Sequence, residues 1–305
     1  MNQPPSVSVL MPVFNGGQYL KEAVESILNQ SFTQFELLII DDGSIDDSLK
    51  ILQQYAESDR RIRLWSRENR GLVQTLNELI EMARSPFLAR MDADDVALPD
   101  RLLHQVQKLE RQPNLLCVGG AYDMVDQQGE WLLHVSPALQ NDEIQQRLLS
   151  GSSPIQHSCA MMRRSAVLQV GGYDPATFPA EDLDLWLRLG ELGELANLQE
   201  TILKYRVHTA SITSKRLKQH SQTVRKVCEQ AWQRRGLKNL PHCEKVEQRY
   251  QQLMLRCGWQ AFLNRQREAA VSYGVRAVQA LPLDLESWRL LVCAAIKPFP
   301  KGDLV

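Results

Sequence analysis

The sequence Ala89-Arg90-Met91-Asp92-Ala93-Asp94-Asp95 follows the apolar residues Pro86-Phe87-Leu88 and places three carboxylates within four positions. An apolar run that ends in acids predicts a buried strand with the acids at its carboxyl end, the sheet edge where open α/β proteins bind ligands. Carboxylates this close repel one another unless a cation lies among them, and Mn²⁺ or Mg²⁺ prefers oxygen ligands. The ordinary alternative is an acidic surface turn before a helix that begins near Asp100, and the cluster alone does not decide between the two.

The composition is that of a soluble globular protein, with 44% hydrophobic and 23% charged residues. The length of 305 residues suits one large domain or a core domain with an appendage. The formal net charge of −1 gives no reason to expect nucleic-acid binding. Six scattered cysteines without a C-x-x-C pair argue against a zinc site or a dense disulfide framework and suit a reducing compartment.

The amino terminus shows no secretory signal, and no apolar run reaches the roughly 18 residues that span a bilayer. The expected location is therefore the cytoplasm, with any membrane contact made at the surface of the inner membrane.

The first 120 residues alternate between apolar runs and amphipathic segments. Strands are predicted at residues 7–12, 35–40, 62–65, 87–91 and 115–120, with helices at about 19–30, 48–56, 72–83 and 100–111. Strand–helix–strand repeats predict an α/β fold with a mostly parallel sheet and helices on both faces. Asp41-Asp42 and the cluster at 92–95 then fall on the same edge of the sheet.

The regular alternation of predicted strands and helices ends after Gly120. The sequence predicts a hairpin over 121–135, a helix at 142–149, a strand at 158–162, a helix that begins at Glu181-Asp182 and a strand at 202–207. Helices are predicted at about 217–235, 243–263, 266–280 and 284–296. We therefore expect one domain over residues 1–213 and an all-helical region over 214–305. Its segment at 266–296 resembles a single tetratricopeptide-like hairpin, too little for an array.

Three motifs have an ordinary structural explanation beside the functional one. Asp41-Asp42-Gly43-Ser44 is a typical turn and helix cap, but a carboxylate there can also accept from a base N–H or a ribose hydroxyl. Glu181-Asp182 suits the positive end of a helix dipole, or a general base at the mouth of a cleft. His157 and His208 each adjoin a predicted strand, where a histidine is more often structural than a ligand.

Taken in order, a set of short stretches resembles the family-2 glycosyltransferases, which are inverting enzymes with the GT-A fold. The matching stretches are residues 9–15, 19–20, 26–32, 35–37, 41–44, 69–72, 92–95, 101, 181–186 and 205–208. The resemblance covers about residues 5–213. Each motif is weak alone, but unrelated acidic turns would not recur in this order.

The resemblance implies a role for each matched position. The implied nucleotide contacts are Pro12, Val13, Asn15, Asp41, Asp42, Gly71, Asp92, Asp94 and Arg206. Among them, Asp42 corresponds to the carboxylate that reads the base, and Arg206 would face the diphosphate. The implied metal ligands are Asp94, Asp95 and His208, with Asp92 close by and the choice among the three aspartates left open. Asp182 matches the catalytic base, and His157 lies where relatives carry a histidine near the acceptor.

The resemblance therefore implies a metal-dependent inverting glycosyltransferase that uses Mn²⁺ or Mg²⁺. It would move a sugar from a nucleoside-diphosphate sugar, with a UDP-sugar favoured, to a hydroxyl of a glycan or lipid-linked acceptor, as in bacterial cell-surface polysaccharide assembly. The alternative is an inactive nucleotide-sugar-binding domain that acts as an interaction module. A nucleotidyltransferase is disfavoured because the loop at 13–17 lacks a basic phosphate-binding residue.

A basic stretch of predicted helix bears on location. It contains Lys215, Arg216, Lys218, Arg225, Lys226, Arg234 and Arg235. A solvated helix face is the ordinary explanation. Peripheral contact with an anionic membrane that holds a lipid-linked acceptor is the alternative.

Overall fold

The computed structural model describes residues 5–207, 216–238 and 245–299. The first half consists of strands β1 to β6 and helices α1 to α4. Their bounds are β1 Val7–Val13, α1 Leu20–Leu28, β2 Phe35–Asp41, α2 Ser48–Ser58, β3 Ile62–Ser66, α3 Leu72–Met82, β4 Phe87–Arg90, β5 Val96–Ala97, α4 Arg101–Arg111 and β6 Leu115–Val125. The predicted alternation of strands and helices is confirmed here. In this half, the two-residue strand β5 is the element that the sequence pattern did not indicate; in the second half, the short helix at Arg164–Gln169 was also not predicted.

The second half completes the sheet and adds a layer of helices. Its elements are β7 Trp131–Val135, α5 Asn141–Leu149, β8 Met161–Arg163, α6 Arg164–Gln169, α7 Glu181–Leu189, β9 Glu194–Arg206, α8 Leu217–Arg234, α9 Val246–Leu263, α10 Arg267–Ala280 and α11 Leu285–Ile296. Short 3₁₀ turns lie at His157–Cys159 and Pro175–Thr177.

The nine strands found in the described ranges form one sheet in the order β3-β2-β1-β4-β8-β6-β9-β5, with β7 paired to β6. Strands β3, β2, β1 and β4 are mutually parallel, and so are β6 and β9. The short strands β8, β5 and β7 pair antiparallel to their neighbours. The α/β class with a mostly parallel sheet is confirmed, and the antiparallel pairs are made by the short strands β5, β7 and β8.

Alternation along the central strands supplies two cores. Leu10 of β1 and Leu38 of β2 pack with α3, α7 and α8 on one face of the sheet. Val9 and Leu37, one position earlier in each strand, pack with α1, α2 and α4 on the other face. Strands that are buried on both faces read as continuous apolar runs, which is why they were visible in the sequence.

Two strand predictions differ from the structure. The strand predicted at 158–162 is shorter, because residues 157–159 form a 3₁₀ turn and only Met161–Arg163 pairs with β4 and β6. The strand predicted at 202–207 begins eight residues earlier, at Glu194, because it runs parallel to β6 for most of its length. Such pairing is a tertiary contact that local propensity does not reveal.

The carboxyl-terminal helices pack closely against the sheet. Helix α8 buries Val227 and Trp232 in the core beneath α7. Helices α9 to α11 form a third core with Leu132 and Leu133 of β7. Within the described ranges, no helix combines the length and the apolar character that crossing a bilayer requires.

Candidate active site

The acidic cluster lies between β4 and β5, at the carboxyl end of β4. One carboxylate oxygen from each of Asp92, Asp94 and Asp95 lies within 4.8 Å of the others. Asp95 is buried, and its Oδ1 accepts a hydrogen bond of 2.9 Å from the backbone N–H of Arg206 at the end of β9. Its Oδ2 is also buried and accepts no hydrogen bond of standard geometry among the described residues, although the hydroxyl of Ser158 lies close enough to oppose the rise in the pKa of Asp95.

The charges in this cluster are unbalanced. Burial, followed by the negative charges of Asp94 and Asp92, holds the pKa of Asp95 well above its ordinary value. Burial and the charge of Asp94 also raise the pKa of Asp92, although Arg90 opposes the rise. Three converging carboxylates, one with a buried oxygen that accepts no hydrogen bond of standard geometry from the described residues, fit a hard divalent cation with oxygen ligands.

Arg90 is a residue of the candidate site that the sequence analysis did not single out. It is buried at the end of β4, and its Nη1 lies 2.5 Å from Oδ1 of Asp92 in an ion pair. The charge of Arg90 also lowers the pKa of Asp182 and Glu181 against the larger effect of their burial. Its signal in the sequence was a single cation inside an otherwise apolar strand, where a charge needs a partner.

Arg206 connects the cluster to two other parts of the chain. Its Nε donates to the carbonyl oxygen of Asp94 at 3.0 Å, and its Nη2 donates to Glu22 at 2.6 Å. The guanidinium also lies 4.6 Å from the ring centroid of Tyr19. These contacts, with the backbone bond to Asp95, position the acidic loop. A direct contact between Arg206 and a diphosphate stays a prediction.

A second acidic site lies at the end of β2, on the same edge of the sheet. The carboxylate of Asp42 is buried and accepts from the backbone N–H groups of Arg70 and Gly71, at 2.8 and 2.9 Å. It also forms an ion pair with Arg67. Asp41 accepts from the hydroxyl of Ser66 at 2.9 Å. Asp42 thus holds the loop that carries Gly71, as the expected closure over a nucleoside requires.

Gly43 is required where the loop after β2 turns. Its φ is +77°, and a Cβ at this position would lie 2.8 Å from the backbone nitrogen of Asn69. A side chain would therefore separate the turn from the loop that Asp42 holds.

The end of β1 completes this edge. The carbonyl of Val13 accepts from the backbone N–H of Asp42 at 2.7 Å, and Pro12 lies beside Ile40 in the parallel register. Asn15 has a φ of 52°, and its backbone N–H donates to the hydroxyl of Ser44 at 2.9 Å. The structure therefore brings Pro12, Val13, Asn15, Asp41, Asp42 and Gly71 to one edge of the sheet, and their contact with a nucleoside stays a prediction.

Asp182 lies in the first turn of α7. Its Oδ2 accepts from the hydroxyl of Ser153 at 3.4 Å, and its Oδ1 accepts from the backbone N–H of Leu183 at 2.7 Å. Burial nevertheless raises the pKa of Asp182. Burial and the neighbouring charge of Asp182 raise the pKa of Glu181 to about 8. The pair therefore combines a carboxylate of increased basicity with a neighbour that is protonated at neutral pH.

Of the two candidate histidines, His157 lies within the described residues and His208 does not. The Nε2 atom of His157 lies 2.8 Å from the hydroxyl of Tyr173, and the ring meets Trp186 edge-on. Burial and the charge of Arg90 lower its pKa well below the ordinary value, so the imidazole is neutral and packed. His208 lies outside the described residues, and its predicted role as a metal ligand stays a prediction.

Comparison with known proteins agrees with this geometry. EpsE of Bacillus subtilis (strain 168), a protein named as a glycosyltransferase, is 37% identical over 211 residues, which are 68% of this chain and 74% of EpsE. The O-antigen biosynthesis glycosyltransferase WbnJ of Escherichia coli is 33% identical over 67% of this chain and 81% of its own length. The mannosyltransferase PcManGT from Pyrobaculum calidifontis, solved with GDP-Man and Mn²⁺, shares the fold with a TM-score of 0.58 at 18% identity, covering 96% of this chain and 80% of its own.

The chain also matches one protein family over a defined range of residues. A description of the family "Glycosyl transferase family 2" matches residues 8–171, which span strands β1 to β8 and more than half of the chain. The matched segment contains the acidic cluster and the Asp42 site, and it ends before Asp182 and Arg206. On this match and on the two relatives above, the chain belongs to glycosyl transferase family 2 and is a glycosyltransferase.

Proposed function

We propose that this glycosyltransferase is metal-dependent and inverting, with a nucleoside-diphosphate sugar as donor and a hydroxyl of a glycan or lipid-linked molecule as acceptor. The observation that carries the proposal is the group of three converging carboxylates, in which Oδ2 of Asp95 is buried without a hydrogen bond of standard geometry from the described residues. PcManGT, which shares the fold, was solved with GDP-Man and Mn²⁺, and this supports both the donor class and the ion.

Asp94 and Asp95 are the proposed ligands of Mn²⁺ or Mg²⁺, with Asp92 adjacent and His208 as a further ligand. When bound, the cation neutralises the negative charge that develops on a leaving diphosphate. Two arginines of the chain orient and balance the carboxylates of this site. Arg206 holds Asp95 through its backbone N–H, and Arg90 balances the charge of Asp92.

The hydrogen bonds of Asp42 favour a uracil base. A carboxylate offers about four acceptor positions, and here Oδ1 accepts from Arg67 and Arg70 while Oδ2 accepts from Gly71. One acceptor position on Oδ2 is left for a ligand. Uracil presents a single ring N–H, whereas guanine presents two adjacent donors that ask for both carboxylate oxygens. We therefore propose a UDP-sugar as the donor.

Asp182 is the proposed general base. The oxygen of the acceptor hydroxyl would attack the anomeric carbon while the bond from that carbon to the diphosphate oxygen breaks. The hydroxyl proton would pass to the carboxylate of Asp182, whose raised pKa increases its basicity. A single displacement from the opposite side inverts the anomeric configuration.

The proposed setting of the reaction is the cytoplasmic side of a bacterial inner membrane. WbnJ, a relative, is named for O-antigen biosynthesis, which supports an acceptor of the cell-surface polysaccharide class. Four buried free cysteines among the described residues, Cys117, Cys159, Cys257 and Cys293, suit a reducing compartment. We propose that residues 1–213 carry the chemistry and that 214–305 add contacts around it. Peripheral membrane contact would use Lys218 and Lys226, which are exposed on α8.

A thermal-shift screen tests this function. Unfolding would be followed with UDP, GDP, dTDP or ADP, each with Mn²⁺, with Mg²⁺ or with a chelator. A ligand that binds only the folded state at 100 times its dissociation constant adds about 2.7 kcal/mol to stability, so a real site is detectable. We expect stabilisation by UDP with metal and its loss in the double variant Asp94→Ala/Asp95→Ala. Stabilisation without turnover on any acceptor would instead identify a binding module. No stabilisation by any nucleotide would refute the proposed donor site.

A further inference from the structure

A cleft of about 520 Å³ lies between the turn that joins β6 to β7 and helix α10. This volume falls within the roughly 300–1,000 Å³ of typical ligand sites in proteins. We name it the α10 cleft. The lining residues that define its chemistry are Asp126, Gln266, Ser272, Tyr273 and Arg276.

Both walls of the α10 cleft are fixed by contacts within the protein. In the turn, Oδ1 of Asp126 accepts from the backbone N–H groups of Gln128 and Glu130, each at 2.9 Å. Leu133 of β7 and Tyr273 of α10 belong to the same hydrophobic core, which holds the helix beside the turn. The cleft is therefore formed before a ligand enters it, so little ordering of the protein opposes binding.

Several buried polar atoms of the α10 cleft form no hydrogen bond with the described residues. Tyr273 is 4% exposed, and its hydroxyl neither donates nor accepts a hydrogen bond within the described ranges. Asp126 is 3% exposed and uses Oδ1 for the turn, whereas its Oδ2 accepts no hydrogen bond from those ranges. Oε1 of Gln266 is buried and likewise has no partner there. Because an unpaired buried polar group costs free energy, these atoms favour a ligand that supplies hydrogen bonds.

The charges that line the α10 cleft nearly cancel. The lining contains the carboxylates of Asp126, Glu130 and Glu268 and the guanidinium groups of Arg267 and Arg276. The guanidinium of Arg267 is already engaged, because it donates to the backbone carbonyls at positions 294 and 297. The small excess of negative charge disfavours an anionic ligand, such as a phosphate or an acidic polysaccharide.

Aliphatic surface is scarce in the α10 cleft. Among the described residues that line it, only Val207 and Ala269 are aliphatic, so an acyl chain would gain little by entering it. Saccharides instead present many hydroxyl groups, each of which both donates and accepts. The carboxylate of Asp126 can accept from such groups. The guanidinium of Arg276, 5.6 Å from the ring centroid of Tyr273, can donate to them.

Arg206 connects the α10 cleft to the acidic cluster. Its Nη1 donates to the carbonyl oxygens of Asp126 and Gln127 in the turn, at 3.3 and 3.4 Å. Its Nε donates to the carbonyl oxygen of Asp94 in the cluster, at 3.0 Å. Val207, the next residue of the chain, lines the cleft. One side chain therefore separates the cleft from the cluster, and a chain of sugars in the cleft can place its end beside the proposed metal site.

We propose that the α10 cleft binds a neutral oligosaccharide, which is the part of the acceptor glycan that precedes the sugar carrying the reacting hydroxyl. The role as an acceptor subsite rests on the proposed transfer to a glycan, whereas binding of the saccharide does not depend on it. The carboxyl-terminal helices thereby take part in selecting the acceptor, because α10 supplies one wall of the cleft.

Saturation-transfer NMR with the full chain, in the absence of nucleotide and metal, tests saccharide binding. The probes are short neutral oligomers of glucose, galactose, mannose and N-acetylglucosamine, with oligogalacturonate as the anionic comparison. We expect saturation transfer to at least one neutral oligomer and a weaker signal from oligogalacturonate. No transfer to any neutral oligomer, or a stronger signal from oligogalacturonate, would overturn the proposal.

Variants in α10 locate the binding site. Ser272→Trp should fill the cleft and abolish the signal. Val275→Trp is the matched control and should leave the signal unchanged, since Val275 is 37% exposed on the same helix and does not line the cleft. Tyr273→Phe keeps the packed ring and removes the hydroxyl, so binding should weaken by roughly two- to tenfold, as for one lost hydrogen bond. Saccharide binding that survives in Ser272→Trp, or that is unchanged in Tyr273→Phe, would place the site elsewhere.

Failure of the acceptor role is distinguishable from failure of the proposed function. The double variant Asp94→Ala/Asp95→Ala should retain saccharide binding, because neither side chain lines the cleft. With UDP-glucose, UDP-galactose or UDP-N-acetylglucosamine and Mn²⁺, the wild type should extend the oligomer that binds, and Ser272→Trp should raise the KM for it. A bound oligomer that is never extended, in a protein that UDP and Mn²⁺ stabilise, would overturn the acceptor role. Saccharide binding without stabilisation by any nucleotide would instead count against the donor site alone.

Discussion

The backbone N–H of Arg206 donates to Oδ1 of Asp95 at 2.9 Å, although the two residues are 111 positions apart in the chain. Asp95 therefore keeps its orientation through main-chain geometry at the end of β9. Its second oxygen, Oδ2, is buried and accepts no hydrogen bond of standard geometry from the described residues. This contact explains how a loop of three mutually repelling carboxylates can be held in one arrangement before any cation binds.

Replacing Asp95 with Asn should stabilise the metal-free protein and abolish any further stabilisation by metal. Because burial and like charges raise the pKa of Asp95, the folded protein without metal loses stability as pH rises above the unfolded value of about 3.8. Asp95→Asn removes that loss and keeps an acceptor for Arg206. We expect a higher melting temperature in chelator at pH 7 and no further increase with Mn²⁺. A wild-type-like response to Mn²⁺ would exclude Asp95 as a ligand.

Asp182→Asn should remove turnover and spare donor binding. General-base catalysis contributes about 10²–10⁴ in rate, and kcat should fall by that factor while nucleotide affinity stays unchanged. Asp142→Asn is the control, since Asp142 also lies in the first turn of a helix, α5, and has the same effect on the helix dipole. Steady-state kinetics and calorimetric titration give the two quantities. Near-normal turnover in Asp182→Asn would assign the base elsewhere.

Glu181 should make stability depend on pH in the neutral range. Its pKa is raised from 4.5 to about 8 in the folded state, so the folded protein binds more protons than the unfolded chain between these values. Stability should therefore fall as pH rises from about 4.5 to 8, by at most about 1.4 kcal/mol per pH unit for this group.

Glu181→Gln should flatten that pH dependence, because the amide does not ionise. Urea unfolding at several pH values between 5 and 8.5, extrapolated linearly to water, measures the slope for both proteins. Identical slopes in the variant and the wild type would show that Glu181 is ionised in the folded protein at neutral pH.

Arg90→Met should be more destabilising than the loss of a surface ion pair. The substitution keeps much of the volume but removes a buried cation from beside Asp92, whose side chain is 31% exposed and therefore screened by solvent, so the cost should lie between roughly 0–1 kcal/mol for a surface pair and about 3–5 kcal/mol for a buried one. Arg61→Met is the comparison, because the pair of Arg61 with Asp59 is partly exposed and is worth roughly 0–1 kcal/mol. Equal unfolding free energies for the two variants would contradict the role of Arg90.

The sequence was sufficient to predict the part of the fold in which apolar strands alternate regularly with amphipathic helices. Strands β1 to β4 were predictable because apolar runs alternate with amphipathic helices, and the acid-rich ends of β2 and β4 had to meet at one edge. The Arg90–Asp92 ion pair and the Arg206–Asp95 hydrogen bond were not predictable in detail. Both depend on side-chain burial or on the register of β9, and long-range packing alone sets these.

The distance along the chain between Asp95 and Arg206 has a consequence for folding. The three aspartates of the cluster lie in the first third of the sequence. The backbone N–H of Arg206, which orients Asp95, reaches its position only when β9 joins the sheet. Contacts of such high sequence separation form late and slowly. A fragment that ends at residue 171, where the family match ends, would contain every aspartate of the cluster and yet lack its orienting donor. We therefore expect metal affinity to appear last during folding. Its appearance would show that the sheet has folded from β1 to β9.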